Sequence, residues 1–468
     1  MKKSRLIHIF RTLTKKEIRL LRKWLESPAH NQRKDVLVLF EYLLKNDRYL
    51  EDKYVVKEKV FGKVYKGETF DDAKMRQVIY FLLKVIEEFL MYQELLSDDV
   101  KAKIALASVY RKRRIDNAFE KTITQAEKSQ EKSLYRNSYY HQNNYSLEQE
   151  KYLYLEKQSK RNVSMNLQDV SNALETTFLT DKLRQTCLMF AHQRAFKAEY
   201  DMGFLEEVLG YVEKEELINK IPAIAIYYYG VKLYQGEEKY FDLKNEIYRY
   251  TNHFPKPEIR DIYLMSINYC IGKMNTGQEK YIREAFEMYK LGFENKILIE
   301  SERISRWTFY NVFVIAIKAK EFQWAENFIN DYQQYVDEKY RQGFVYHALA
   351  RLNFERKNYD KTRELLKEAE FNDIIMTLGA RTMLLQIYYE TDEIDLLDAL
   401  LESTRTYLQR KEVIGYHKAT FKNLLRYTRK LVKVNPFDRE EKEKLKAEIQ
   451  EANPLTEKAW LLDQLDKM

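Results

Sequence analysis

Twelve glycines and six prolines among 468 residues are too few for a strand-rich fold of this size, because hairpins and sheet edges depend on those residues for their turns. Cysteine is scarcer still. Cys187 and Cys270 sit in apolar, helix-patterned segments without CxxC spacing, so both are expected to be small buried residues in a reducing compartment. No apolar run approaches the roughly 18 residues of a membrane span. The positive opening MKKSRLIHIFRTL has no apolar stretch of signal-peptide length behind it, so a cytoplasmic protein is expected. The short motifs of catalysis are missing too: GxxxxGK followed by Ser or Thr, GxGxxG, HExxH, GxSxG and zinc-spaced Cys or His clusters. The sequence therefore nominates no catalytic residue, metal ligand or cofactor, and a non-enzymatic function is the expectation.

What is present suits long amphipathic helices: charged residues make up 32% of the chain, with abundant Leu, Ile, Lys and Glu. The net charge of +8 is unevenly placed. Residues 1–34 carry eleven cations against Glu17 and Glu26, a balance of +9, and the remainder sums to −1. Thr14 and Glu17 form a capping box, with Leu13 and Ile18 placed for a hydrophobic staple, so a helix is predicted to start at Thr14 and to end at Pro28. Its stripe of Ile18, Leu21 and Leu25, with Trp24 beside it, faces a core. Lys15, Arg19, Arg22 and Lys23 recur on another face, a possible polyanion contact, with residues before Thr14 read as a flexible leader. Further helices are predicted over 33–46, 54–66 and 70–97, the last presenting Met75, Val78, Leu82, Val85, Ile86 and Phe89 on one side. Residues 1–97 thus form a basic helical module, with no turn signature to mark a helix-turn-helix.

From residue 98 the pattern becomes helix, tight turn, helix. Phe322, Ala325 and Ile329 align with Tyr359, Thr362 and Leu366, and then with Ile394, Leu397 and Leu401, at offsets of 37 and 35 residues. The segment around Ile115 and Ala118 forms a similar junction, and segments near Tyr240 and Tyr281 repeat at a longer interval. Over about 100–430 these units resemble tetratricopeptide (TPR) repeats, whose unit is about 34 residues. Ala350 matches the small residue that lets the two TPR helices approach, whereas Phe313 and Leu385 occupy that place in the neighbouring units, so the resemblance is to a divergent TPR-like array. The chain is also similar to uncharacterised bacterial helical-repeat proteins with such an N-terminal module, a likeness that supplies no activity. The resemblance implies an all-α fold: a right-handed α-solenoid of antiparallel helix pairs over 98–434, after the module and before capping helices over 435–468.

Two long helices, predicted over 134–161 and 166–199, interrupt the rhythm and mark a possible bend. Tyr139, Asn143 and Asn144 crowd the first, and Gln185 and His192 give the second a polar edge. Tyr favours protein interfaces and Asn gains little in an apolar seam, so these five residues are the candidate protein-binding groove. Two functions stay open: an adaptor holding a peptide or helix of another protein on its concave face, or a regulator or ribonucleoprotein-associated factor whose basic N-terminal module contacts nucleic acid. The run Arg111, Lys112, Arg113 and Arg114 is read as cations complementing a helix C-terminus, and the last helix as a cap presenting Trp460, Leu461 and Leu465 to one side.

Overall fold

The computed structural model describes residues 1–158, 164–196, 198–369, 373–410 and 415–468. It is all-helical, with 79% of the described residues in helix and no strand among them. Among the described residues 23 α-helices pack in neighbouring pairs. No described helix is long and apolar enough to cross a membrane. Two compact units divide the chain, one comprising Met1–Tyr228 with Asn252–Phe254, the other Tyr229–Thr251 with Pro255–Met468.

In the first unit, one apolar cluster running from Leu6 to Phe89 gathers five helices, Arg5–Phe10, Lys15–Glu26, Lys34–Leu44, Lys57–Val64 and Asp72–Ser97. The Thr14 capping box forms in full: the Thr14 amide donates to Glu17 Oε2 at 2.7 Å and the Glu17 amide to Thr14 Oγ1 at 3.2 Å, satisfying two otherwise orphaned donors. All six residues predicted for one face of the Asp72–Ser97 helix are buried. The leader reading fails. Ser4 caps a helix over Arg5–Phe10, and Leu6, Ile7 and Phe10 are wholly buried. Arg11 ties the end of this helix to the turn after Lys34–Leu44, donating to the Tyr49 carbonyl at 3.0 Å and the Leu50 carbonyl at 3.2 Å.

Next come the pairs Asp99–Arg113 with Asp116–Lys132 and Ser138–Lys157 with Leu167–Phe196. The expected ends of the long helices at 161 and 199 are not observed: the helices stop at Lys157 and Phe196, and residues 159–163 and 197 lie outside the described residues.

In the second unit the pairs are Lys256–Asn275 with Lys280–Glu294, Arg306–Lys318 with Phe322–Tyr332, Glu338–Glu355 with Tyr359–Glu368, and Ile374–Glu390 with Ile394–Arg410. Phe322, Tyr359 and Ile394 each open the second helix of a pair. They are half-buried, and the core positions are the aligned Ala325, Thr362 and Leu397, each wholly buried. The turn before each is the same. Lys320, Lys357 and Asp392 adopt positive φ, and the next residue's amide bonds back five residues, Glu321 to Ala316, Asn358 to Asn353 and Glu393 to Tyr388. This Schellman closure satisfies the last carbonyls of the first helix. Arg114, Gly236 and Gly277 close earlier turns in the same way. The first helices also pack on one another, Arg306–Lys318 against Glu338–Glu355 and that against Ile374–Glu390. Gly415–Lys433, Arg439–Glu451 and Lys458–Lys467 complete the unit around Leu431, Ile449, Leu461 and Leu465.

One glycine allows a close approach. A Cβ at Gly292 would lie 2.6 Å from Leu298 Cδ1 and 3.3 Å from Tyr263 Cδ1, both on buried side chains, whereas a Cβ at the helical Gly272 would meet nothing within 4 Å. Gly292→Ala is therefore expected to destabilise by about 1–3 kcal/mol through overpacking, and Gly272→Ala to stabilise by up to about 1 kcal/mol through helix propensity. Urea unfolding of the two variants checks this; equal shifts would remove the packing argument.

Candidate protein-binding groove

The Leu167–Phe196 helix is apolar on opposite sides. Ala173, Leu183 and Cys187 are buried on one side. There the Cys187 thiol donates to the Tyr227 carbonyl at 3.5 Å, and burial pushes its pKa up. On the other side Leu167, Leu174, Phe178, Gln185, Leu188, His192 and Phe196 are all exposed. At 3.6 residues per turn they fall within an arc of about 80° along the thirty-residue helix, a stripe interrupted at the half-buried Asp181. Part of its exposure follows from pairing. Asn166 donates to the Glu148 carbonyl at 3.0 Å, while Asp181 accepts from Gln142 at 2.9 Å and from Ser138. Residues after 181 thus extend past the first turn of Ser138–Lys157.

Beside the stripe, the Leu205–Lys214 helix packs on Leu167–Phe196 and completes a groove of about 410 Å³. Leu179 and Val208 form its buried floor, and Phe178, Phe204 and Tyr211 its walls, 50%, 71% and 41% exposed. The charged lining is acidic, Glu175 and Glu207. Tyr211 donates to Glu175 at 3.1 Å, and that bond holds the phenol above its usual pKa. Gly203, at φ +52°, turns the chain into the second wall, its amide donating to Asp201 at 2.8 Å. Further along the stripe, His192 stacks on Phe196 with centroids 4.6 Å apart, and its Nδ1 lies 2.9 Å from the Tyr200 hydroxyl.

Gln185 and His192 thus share the face that carries the groove wall Phe178. Tyr139, Asn143 and Asn144 lie on the neighbouring helix and do not line the groove. Tyr139 is exposed, with Lys101 Nζ 5.0 Å from its ring centre, and Asn144 is half-exposed. Asn143 is buried and donates to Asp98 at 3.2 Å, tying it to the residue that caps Asp99–Arg113. The groove walls Phe204 and Tyr211 were not singled out from the sequence; Leu174, Phe178, Leu188 and Phe196, at helical spacing opposite a second apolar face, are the signal that marks this helix.

In the N-terminal module, Lys15, Arg19 and Lys23 are exposed and have no ion-pair partner among the described residues. Arg22 is engaged, its guanidinium meeting Glu41 at 2.8 and 3.0 Å. Lys2 and Arg11 pair with Asp52, Arg5 with Glu87 and Arg33 with Asp35, so much of the N-terminal cation excess fastens the module itself. Among the described residues no group of three or more His, Cys, Asp or Glu is placed to hold a metal ion.

Comparison with known proteins gives no match: no family model fits the chain, and neither a curated protein nor a solved structure is significantly similar to it.

Proposed function

We propose that the protein is a non-enzymatic binding scaffold that holds a helical segment of another protein in the groove between Leu167–Phe196 and Leu205–Lys214. The supporting observation is the exposed apolar stripe leading into an aromatic-walled, acidic-rimmed groove, since soluble proteins seldom leave a contiguous patch of this kind uncovered without a use for it. The complementary partner is an amphipathic helix with Leu or Phe anchors for the groove and Lys or Arg to meet Glu175 and Glu207. Within each unit this reading extends the paired helices to antiparallel, right-handed TPR-like stacking closed at the end by Lys458–Lys467, in a cytoplasmic protein. The ion pairs of Arg5, Arg11 and Arg22 favour the groove over a nucleic-acid contact at the N-terminus.

The test is comparative capture from native lysate. Phe178→Glu with Phe204→Glu changes two exposed walls, so stability should stay within about 0.5 kcal/mol of wild type, while loss of aromatic anchors should weaken a specific partner by about 2 kcal/mol or more. The expected result is a partner set lost from this variant but kept, with nuclease present, by a Lys15→Gln, Arg19→Gln, Lys23→Gln control. An identical set bound by wild type and groove variant would sink the reading.

A further inference from the structure

A second cleft lies in the other unit and has the opposite character. The helices Gly415–Lys433 and Arg439–Glu451 enclose about 480 Å³, within the range of about 300–1,000 Å³ that small-molecule sites occupy. Its floor is apolar, built from the buried Val434 and Leu445. Five cations line it, against the carboxylates of Glu441 and Glu448.

The pairing leaves an excess. Lys430 binds Glu448, and Arg429 binds Glu402 outside the cleft. Glu441 accepts from the Asn435 amide at 3.1 Å. Arg426, Lys433 and Lys444 have no ion-pair partner among the described residues. Lys430 first, then Arg426 beside it on Gly415–Lys433 and Lys444 one turn before Glu448 on its own helix, hold the Glu448 carboxyl below the usual carboxylate range. Arg426, Lys430 and Lys433 also recur at i, i+4 and i+7, where like charges repel by about 0.2–0.5 kcal/mol per adjacent pair. The negative end of the helix dipole accounts for Lys430 and Lys433 in the last turn. It does not account for Arg426, two turns from the helix end, or for Lys444 inside the other helix.

We infer that this cleft binds a small metabolite carrying two or more phosphoryl charges, its phosphates among Arg426, Lys433 and Lys444 and its organic body over Val434 and Leu445. Such a ligand relieves the cation repulsion and covers the apolar floor, which no single inorganic anion does. A nucleoside diphosphate and a sugar bisphosphate share this chemistry.

The test titrates the full chain by calorimetry, with thermal melting in parallel, using ADP, fructose 1,6-bisphosphate and pyrophosphate as probes and sulfate at matched ionic strength as control. Arg426→Gln, Lys433→Gln, Lys444→Gln is compared with the triple variant Lys15→Gln, Arg19→Gln, Lys23→Gln, which removes equal charge elsewhere. Lys444→Glu alone, at an exposed position, serves if the cleft triple unfolds. The expected result is that ADP or the bisphosphate binds wild type and the N-terminal variant alike, about tenfold or more tighter than the cleft variant, and tighter than sulfate. Binding by neither probe, or equal binding by both triple variants, overturns the inference. Binding by pyrophosphate as tight as by the organic probes overturns the role given to the apolar floor.

Discussion

Replacing Glu150 with Leu should destabilise the protein by about 3–5 kcal/mol, and replacing Arg111 with Met should do the same, while the double variant should recover most of the loss. The two side chains join Asp99–Arg113 to Ser138–Lys157 through a two-pronged contact, Nε to Oε1 and Nη2 to Oε2 at 3.3 Å, and each side chain is only 9% exposed. Removing one partner strands a nearly buried charge with little access to water, so the penalty is mostly desolvation of the survivor. Removing both leaves an apolar pair of similar volume at the seam. A double-mutant cycle in urea measures the coupling; single-variant losses below about 1 kcal/mol would show that solvent screens the pair, as at an exposed ion pair.

Arg111 also shows where a one-dimensional reading stops. Its neighbours Lys112 and Arg113 are exposed at the helix end, as cations complementing a dipole should be, and only the approach of a helix 39 residues further on singles out Arg111. Patterning that lies within a helix was legible. The Thr14 capping box, the six-residue face of Asp72–Ser97 and the starts of the second helices at Phe322, Tyr359 and Ile394 all follow from local spacing. The Arg5–Phe10 helix was not, because six residues span fewer than two turns and four of the first eleven residues are cations. The closing turns were hidden for a related reason. Among the described residues Gly236 and Gly277 close two such Schellman turns, but Arg114, Lys296, Lys320, Lys357 and Asp392 close five more, so the glycine that normally announces a helix end is missing where the backbone still adopts positive φ.

The groove was half legible. His192 and Gln185 belong to the exposed face, but their polarity drew attention away from the apolar residues beside them, and Phe204 and Tyr211 reach the groove only through the turn at Gly203. Asn143 illustrates the converse. An amide in a helix is ambiguous until its partner is known, and Asp98, 45 residues earlier, makes it buried and bonded. Tyr, Asn, Gln and His carry a chemistry that suits both an interface and a helix seam, and only tertiary contact separates the two.

Acidification from pH 7 to pH 5 should destabilise the second unit by about 2 kcal/mol through one imidazole, that of His347. The side chain is 2% exposed and lies where first helices of successive pairs meet, its ring 5.5 Å from that of Tyr310 and its Nε2 2.8 Å from where a Cβ at Gly379 would stand. Burial foremost, and then the nearby Arg351 charge, lower its pKa from 6.5 to about 4. The sign comes from proton counting. Between these two values the unfolded chain binds a proton that the folded protein refuses, so the stabilisation is complete above about pH 6.5, falls as pH drops through that window, and is fully lost below about pH 4. His141, lowered to about 4 chiefly by burial and then by Arg136, adds the same trend in the first unit. His347→Gln removes the titration while keeping a polar side chain, so its stability should fall less between pH 7 and pH 5 than that of wild type, whatever its absolute value. Carboxylates titrate in both proteins and cancel in the comparison. Parallel curves for wild type and variant across this window would show that His347 takes up its proton without unfolding, and that the seam between first helices admits water.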